Sequence, residues 1–192
     1  MRLFVGLSIP GDVRENLSSL IRTLRSADAR PKWVRSENLH VTLKFIGEIE
    51  SEKSLALGHA LAAVRSTQLV HLEFRGVGFF PNQRRPSVLW AGVHGSPSLV
   101  SLTAEINSVL APLGIPHEEK PFVPHLTIAR FKELRLSPSL RAGIEKFSGH
   151  NFGSLSTADF YLIESKLKNT GAEYTTLRSF RFAAQSTESK ES

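Results

Sequence analysis

Two four-residue segments of this chain share one pattern: His40-Val41-Thr42-Leu43 and His125-Leu126-Thr127-Ile128 both read His-apolar-Thr-apolar. With seven histidines in 192 residues and 41% apolar residues, composition alone predicts about 0.06 such matches, so a pair of them is roughly a one-in-500 coincidence. In a β-strand, residues two apart share a face. Each copy therefore presents an imidazole beside a hydroxyl and turns its apolar pair into a core. Two imidazoles opposed across a groove suit in-line displacement at phosphorus. One, neutral, takes a proton from the attacking oxygen, and the other, charged, gives a proton to the leaving oxygen. An unperturbed pKa near 6.5 makes both forms available at neutral pH. The Thr42 and Thr127 hydroxyls can donate to the non-bridging phosphate oxygens. This chemistry needs no metal or other cofactor, and each tetrapeptide offers a single good ligand with no carboxylate at ligand spacing beside it. His59, His71, His94, His117 and His150 share neither the pattern nor each other's context and read as ordinary.

The elements that must carry these pairs are readable from periodicity. Leu3 to Ile9 alternates as a strand ended by Pro10-Gly11. A helix capped by Asp12 comes next, with Val13, Leu17, Leu20, Ile21 and Leu24 at helical spacing. A short extended piece is expected at Trp33-Val34, a clear strand over Leu39 to Ile46, and a helix from near Ser51. Strands over 69–77 and 87–93 flank a turn-rich connection holding Arg84 and Arg85. A helix over 97–110, a strand over 124–131 and a short helix over 137–147 succeed them. Strands 160–168 and 174–182 close the chain around Asn169-Thr170-Gly171, a hairpin turn signal. Strands and helices mix without a regular βαβ beat, which predicts a mostly antiparallel α+β fold. The material before and after residue 94 is compatible with two lobes, each carrying one tetrapeptide. The polar residues 184–192 are expected to be a disordered tail behind a single domain over 1–183.

Composition narrows the function classes. The absence of cysteine removes disulfides, thiolate–zinc sites, iron–sulfur clusters and a cysteine nucleophile, and fits a cytoplasmic setting. No apolar run approaches the roughly 20 residues needed to span a bilayer, and Met1-Arg2 leads straight into a strand, so neither a membrane span nor a signal peptide is expected. A net charge of +6 is compatible with an anionic partner.

Beyond the paired tetrapeptides, the chain resembles the 2H phosphoesterases, and within them the RNA 2′,3′-cyclic phosphodiesterases once called 2′-5′ RNA ligases. The resemblance spans residues 2 to about 182. It is carried by Arg2-Leu3-Phe4-Val5-Gly6, by Trp33-Val34, by Glu37 through Glu48, by Gly78-Phe79-Phe80-Pro81 and by Arg85 through Val93. Pro121 through Phe131, Ser165 and Tyr174 complete it. It implies a bilobal α+β fold, two pseudo-twofold-related sheets with helices outside and a central cleft. It also implies metal-free hydrolysis of a terminal RNA 2′,3′-cyclic phosphate to a 2′-phosphomonoester, with His40 as proton donor, His125 as acceptor, and Thr42 and Thr127 on the phosphate. A weak, ATP-independent joining of RNA ends through a 2′-5′ bond is implied as well. The expected partners are RNA ends with a cyclic phosphate, such as tRNA fragments, or small cyclic nucleotides, acted on by a monomer.

Two further residues are candidates for binding substrate. Lys44 lies four residues after His40, on the same face of a regular strand, and its counterpart in the second copy is Ala129. Arg130 has the opposite parity to His125 and reaches a groove only if a strand end or bulge redirects it. Phe4, Phe45, Phe80, Trp90 and Phe131 are candidates for a stacked base, and Arg84 and Arg85 for RNA backbone contacts. A non-catalytic nucleotide-binding module and a phosphodiesterase for 2′-5′ oligonucleotides are the alternatives.

Overall fold

A computed structural model describes residues 1–66, 68–118, 121–132, 135–169 and 171–182. The tail expected to be disordered, 184–192, and Thr170 of the last turn lie outside the described residues. Alternating apolar positions produce nine strands among the described residues: β1 (Arg2–Ser8), β2 (Lys32–Trp33), β3 (His40–Glu48), β4 (Val70–Phe80), β5 (Val88–Gly95), β6 (His125–Arg130), β7 (Asn151–Thr157), β8 (Asp159–Lys168) and β9 (Gly171–Arg181). Four α-helices accompany them: α1 (Gly11–Ala27), α2 (Lys53–Leu61), α3 (Pro97–Leu110) and α4 (Pro138–Glu145).

The strands form two antiparallel sheets, one in the order β3-β1-β8-β9 and the other β2-β6-β5-β4-β7. This is the α+β architecture expected from the sequence. The division of the chain between the sheets is different from a split near residue 94. The closing hairpin β8-β9 returns to the sheet of β1, while β2, from early in the chain, joins the sheet of β6. Each sheet is thus completed by strands distant in sequence, and β3 and β6 meet where the sheets adjoin.

The helices cover the opposite faces. α1 turns Val13, Leu17, Leu20, Ile21 and Leu24 inward and packs against α4 and β7, while α3 packs against α2 and strands from both sheets. Pro10 occupies the position before α1 without a side-chain cap, and Asp12 sits in the first turn, where a negative charge favours the helix dipole. The buried apolar residues of both sheets form one continuous cluster, with Phe74, Phe152, Phe160 and Phe182 among its largest members. β7 escapes sequence reading because Asn151 to Thr157 has only Phe152 and Leu155 as large apolar residues. It is an edge strand paired with β4 alone.

Phe74 is fully buried in the second sheet, on a strand paired at both edges. Replacing it with Ala is expected to cost about 3–5 kcal/mol through lost burial and the remaining cavity. Denaturant unfolding will measure this as a lower midpoint, and a loss under about 1 kcal/mol would contradict the packing described.

Candidate active site

Both tetrapeptides behave as strands for their first three residues and then break register. In the first sheet, Gly6 faces Thr42 and Val5 faces Lys44, leaving Leu43 as an extra residue. In the second, Trp90 faces Thr127 and Leu89 faces Ala129, leaving Ile128 as an extra residue. The fourth residue of each copy is therefore a β-bulge, which reverses the facing of the residues after it. His40, Thr42 and Phe45 line an open cleft of about 570 Å3, as do His125, Thr127 and Arg130. Phe45 and Arg130 thus occupy matching positions on opposite walls.

The bulge corrects the placement of Lys44. It is 2% exposed, faces away from the cleft, and its Nζ donates to the Pro116 carbonyl oxygen at 2.6 Å. The same geometry brings Arg130 into the cleft, the redirection its sequence parity required. Arg84 and Arg85 lie in the exposed turn before β5 and do not line the cleft; their backbone amides both donate to Asn82 Oδ1. Trp90 packs against Gly78, where any Cβ would collide with the indole, and Phe131 borders a separate depression with Asp28 and Arg135. Phe4 and Phe80 back the two imidazoles, with ring centroids 4.6 Å from His40 and 4.9 Å from His125.

The imidazoles are held alike. His40 Nδ1 is 2.7 Å from the Asn38 carbonyl oxygen, and His125 Nδ1 is 2.9 Å from that of Val123, two residues earlier in both cases. A carbonyl only accepts, so Nδ1 carries the proton in both rings and Nε2 is left for chemistry. His40 Nε2 meets Thr42 Oγ1 at 2.9 Å, with the hydroxyl donating while the ring is neutral. Gly6 is required beside this pair because a Cβ there would lie 2.9 Å from the Val41 carbonyl oxygen and 3.5 Å from His40 Cδ2.

Residues outside the motifs complete the support. Arg14 and Ser18 of α1 bond Ser36 in the 3₁₀ turn Ser36–Asn38, whose last residue supplies the carbonyl under His40. The Asn38 side chain donates to the Ala172 carbonyl oxygen at 2.7 Å, tying β9 to this turn. Tyr174 of β9 stands edge-on to His40 with ring centroids 5.1 Å apart. Burial lowers the pKa of His40 below its ordinary value, and the positive charges of His125 and Arg14 act in the same direction, against the hydrogen bond to Asn38. Burial raises the pKa of Tyr174, opposed by Arg130 and Arg2, so both guanidinium groups lie near this ring. Arg2 and Asn38 fall inside segments that carry the family resemblance, but nothing in their spacing states a supporting role, and Arg14 lies outside those segments; only the period-two relation of Arg2 to Phe4 and Gly6 hints at a shared face.

The family model of the 2′-5′ RNA ligase superfamily matches residues 13–159. The chain belongs to that superfamily. Within it, the chain is 36% identical to an RNA 2′,3′-cyclic phosphodiesterase of Archaeoglobus fulgidus over 94% of this chain and 99% of that one. Among solved structures of similar fold, a Thermus thermophilus protein is 32% identical with a TM-score of 0.76, the alignment covering 95% of this chain and 98% of that one. The E. coli LigT complex with 3′-AMP is 26% identical with a TM-score of 0.74 and the same coverage. As a member of the superfamily, the chain places both of its His-x-Thr-x copies at one cleft.

Three measurements test this geometry. The unfolded chain binds a proton at His40 more readily than the folded one, so stability should fall as pH drops below about 6.5. Two-dimensional NMR should find His40 titrating below that value, and a His40→Gln variant should show a flatter stability profile in the same window. Lys44→Met removes a group placed outside the cleft, so turnover should stay within about threefold of wild type, buried ammonium groups being replaceable by apolar chains of similar size. A hundredfold loss in that variant would put Lys44 back in the site.

Proposed function

We propose that this chain is an RNA 2′,3′-cyclic phosphodiesterase in which His40 and His125 form the acid–base pair. The observation that carries the reading is the matched presentation of two Nε2 atoms, each with its Nδ1 proton committed to a backbone carbonyl, at a single cleft. The relative from Archaeoglobus fulgidus bears the name of this activity and aligns along nearly the whole chain.

In this mechanism the cyclic phosphate lies between the two tetrapeptides. His125 Nε2 accepts a proton as water attacks phosphorus, the bond from phosphorus to O3′ breaks in line, and His40 Nε2 protonates O3′. The product is a 2′-phosphomonoester with a free 3′-hydroxyl. Thr42 and Thr127 donate to the non-bridging oxygens, and the Arg130 guanidinium balances their charge. Burial leaves free His40 biased toward its neutral form, whereas a proton donor must be charged. The anionic phosphate supplies the compensation, because an adjacent negative charge favours imidazolium. A 5′-hydroxyl in the place of water leads, by the same proton transfers, to a 2′-5′ phosphodiester without ATP.

His40→Ala and His125→Ala should each lower kcat by at least about a hundredfold, the usual share of one acid or base. Assays on an oligonucleotide ending in a cyclic phosphate will show this, and comparison with authentic standards should identify mainly 2′-phosphate. A mainly 3′-phosphate product would exchange the donor and acceptor. The basic limb of kcat should lie at higher pH than that of kcat/KM, since bound phosphate raises the donor's pKa. Coincident basic limbs would argue against His40 as the donor.

A further inference from the structure

The two imidazoles are held by the same kind of bond but not by the same support. Among the described residues, no side chain bonds the segment 121–124, which presents the Val123 carbonyl to His125. The turn under His40, in contrast, is braced from α1. Arg14 donates to the Ser36 carbonyl oxygen, which the Leu39 amide also reaches at 3.2 Å, and Ser18 Oγ lies 2.7 Å from Ser36 Oγ. Both acceptor positions of that carbonyl are occupied, and the turn Ser36–Asn38 is fixed with the Asn38 carbonyl oxygen 2.7 Å from His40 Nδ1. Two residues along α1, Asn16 donates to the Phe152 carbonyl oxygen of β7 at 3.0 Å, so the helix that braces His40 is itself fastened to the second sheet. A neutral donor would hold Ser36 as well as a guanidinium does. Arg14 is half-buried, and among the described residues no carboxylate pairs with it; Glu37, the acidic residue of the turn, is exposed and lies 3.9 Å from Arg35. The Arg14 charge is therefore uncompensated, and it acts on His40. The other titratable groups facing the ring are His125 of β6 and Tyr174 of β9, with Arg2 and Arg130 close to Tyr174, while β1 opposes it with the uncharged Phe4, Gly6 and Ser8.

We propose that Arg14 is a positioning residue for His40: one side chain fixes the carbonyl under Nδ1 and places an unpaired positive charge near the ring, outside the cleft. The assignment rests on the phosphodiesterase reading with His40 as proton donor, and adds to it a feature that tells the donor from the acceptor. The two histidines are alike in motif and in the bond at Nδ1. They differ in that a guanidinium braces the Asn38 turn, whereas among the described residues no cation bonds the segment before His125. A neighbouring cation disfavours imidazolium, which makes the charged ring a stronger acid. Bound phosphate supplies the opposing charge that lets His40 hold its proton. As the bond from phosphorus to O3′ breaks, negative charge passes to that oxygen, and the Arg14 charge favours transfer of the proton from Nε2 to it. Arg14 does not line the cleft, so both effects pass through His40.

The test combines NMR titration of His40 in the ligand-free protein with the pH dependence of turnover of adenosine 2′,3′-cyclic phosphate, in wild type, Arg14→Lys, Arg14→Gln and Arg14→Met. Both neutral variants should move the His40 titration to higher pH and carry the basic limb of kcat/KM with it. Their kcat plateau should fall about tenfold, with KM little changed, because the acid is both weaker and less firmly placed. Arg14→Lys keeps a donor and a charge, and should restore the titration and most of the turnover. A role confined to bracing the turn would lower the midpoint of denaturant unfolding but leave the His40 titration and the basic limb at their wild-type positions. That result overturns the proposal, as does a shift to lower pH or a Lys variant that behaves like Gln. A raised titration with an unchanged kcat plateau would overturn the part of Arg14 in the reaction, and failure of both neutral variants to fold would make it a structural residue only. If wild type turns over no cyclic phosphate, the phosphodiesterase reading fails; the ligand-free titration is unaffected by that failure and alone decides whether Arg14 acts on His40.

Discussion

A backbone carbonyl can only accept a hydrogen bond, so an imidazole nitrogen that meets one must carry the ring's proton. In both tetrapeptides that carbonyl belongs to the residue two positions before the histidine, Asn38 or Val123. The consequence is a pair of rings whose Nε2 atoms are the variable ones, free to hold a proton or a lone pair. The surrounding structure serves to keep this arrangement in place. α1 bonds the turn that presents the Asn38 carbonyl, Asn38 in turn ties down β9, and Gly6 leaves room for the His40 ring. Under the proposed mechanism, the donor and acceptor roles would depend on charge at each Nε2.

The second organising feature is the bulge at Leu43 and Ile128. A regular strand would have pointed Lys44 and Ala129 into the cleft and kept Phe45 and Arg130 out. One extra residue in each strand exchanges these pairs. Lys44 is then held among buried groups by the Pro116 carbonyl, and the cleft gains an aromatic ring on one wall and a guanidinium on the other. Two copies of a simple motif thus produce a cleft that is symmetric in its histidines and threonines and asymmetric in the residues that follow them.

Much of the fold and site was legible in sequence for a physical reason. The tetrapeptide pattern states which side chains share a face, since period two is a property of an extended chain, and the helical spacing of Val13, Leu17, Leu20, Ile21 and Leu24 states which face of α1 is buried. Those relations are local. They determined the α+β class, most of the elements and the pairing of each histidine with its threonine on one strand face. Tertiary structure decided everything that depends on pairing between distant strands: the return of β8-β9 to the sheet of β1, the edge position of β7, and the bulges that redirect Lys44, Phe45 and Arg130. A bulge is defined only against a partner strand, and a buried imidazole only against its neighbours, so neither has a signature in the residues that form it.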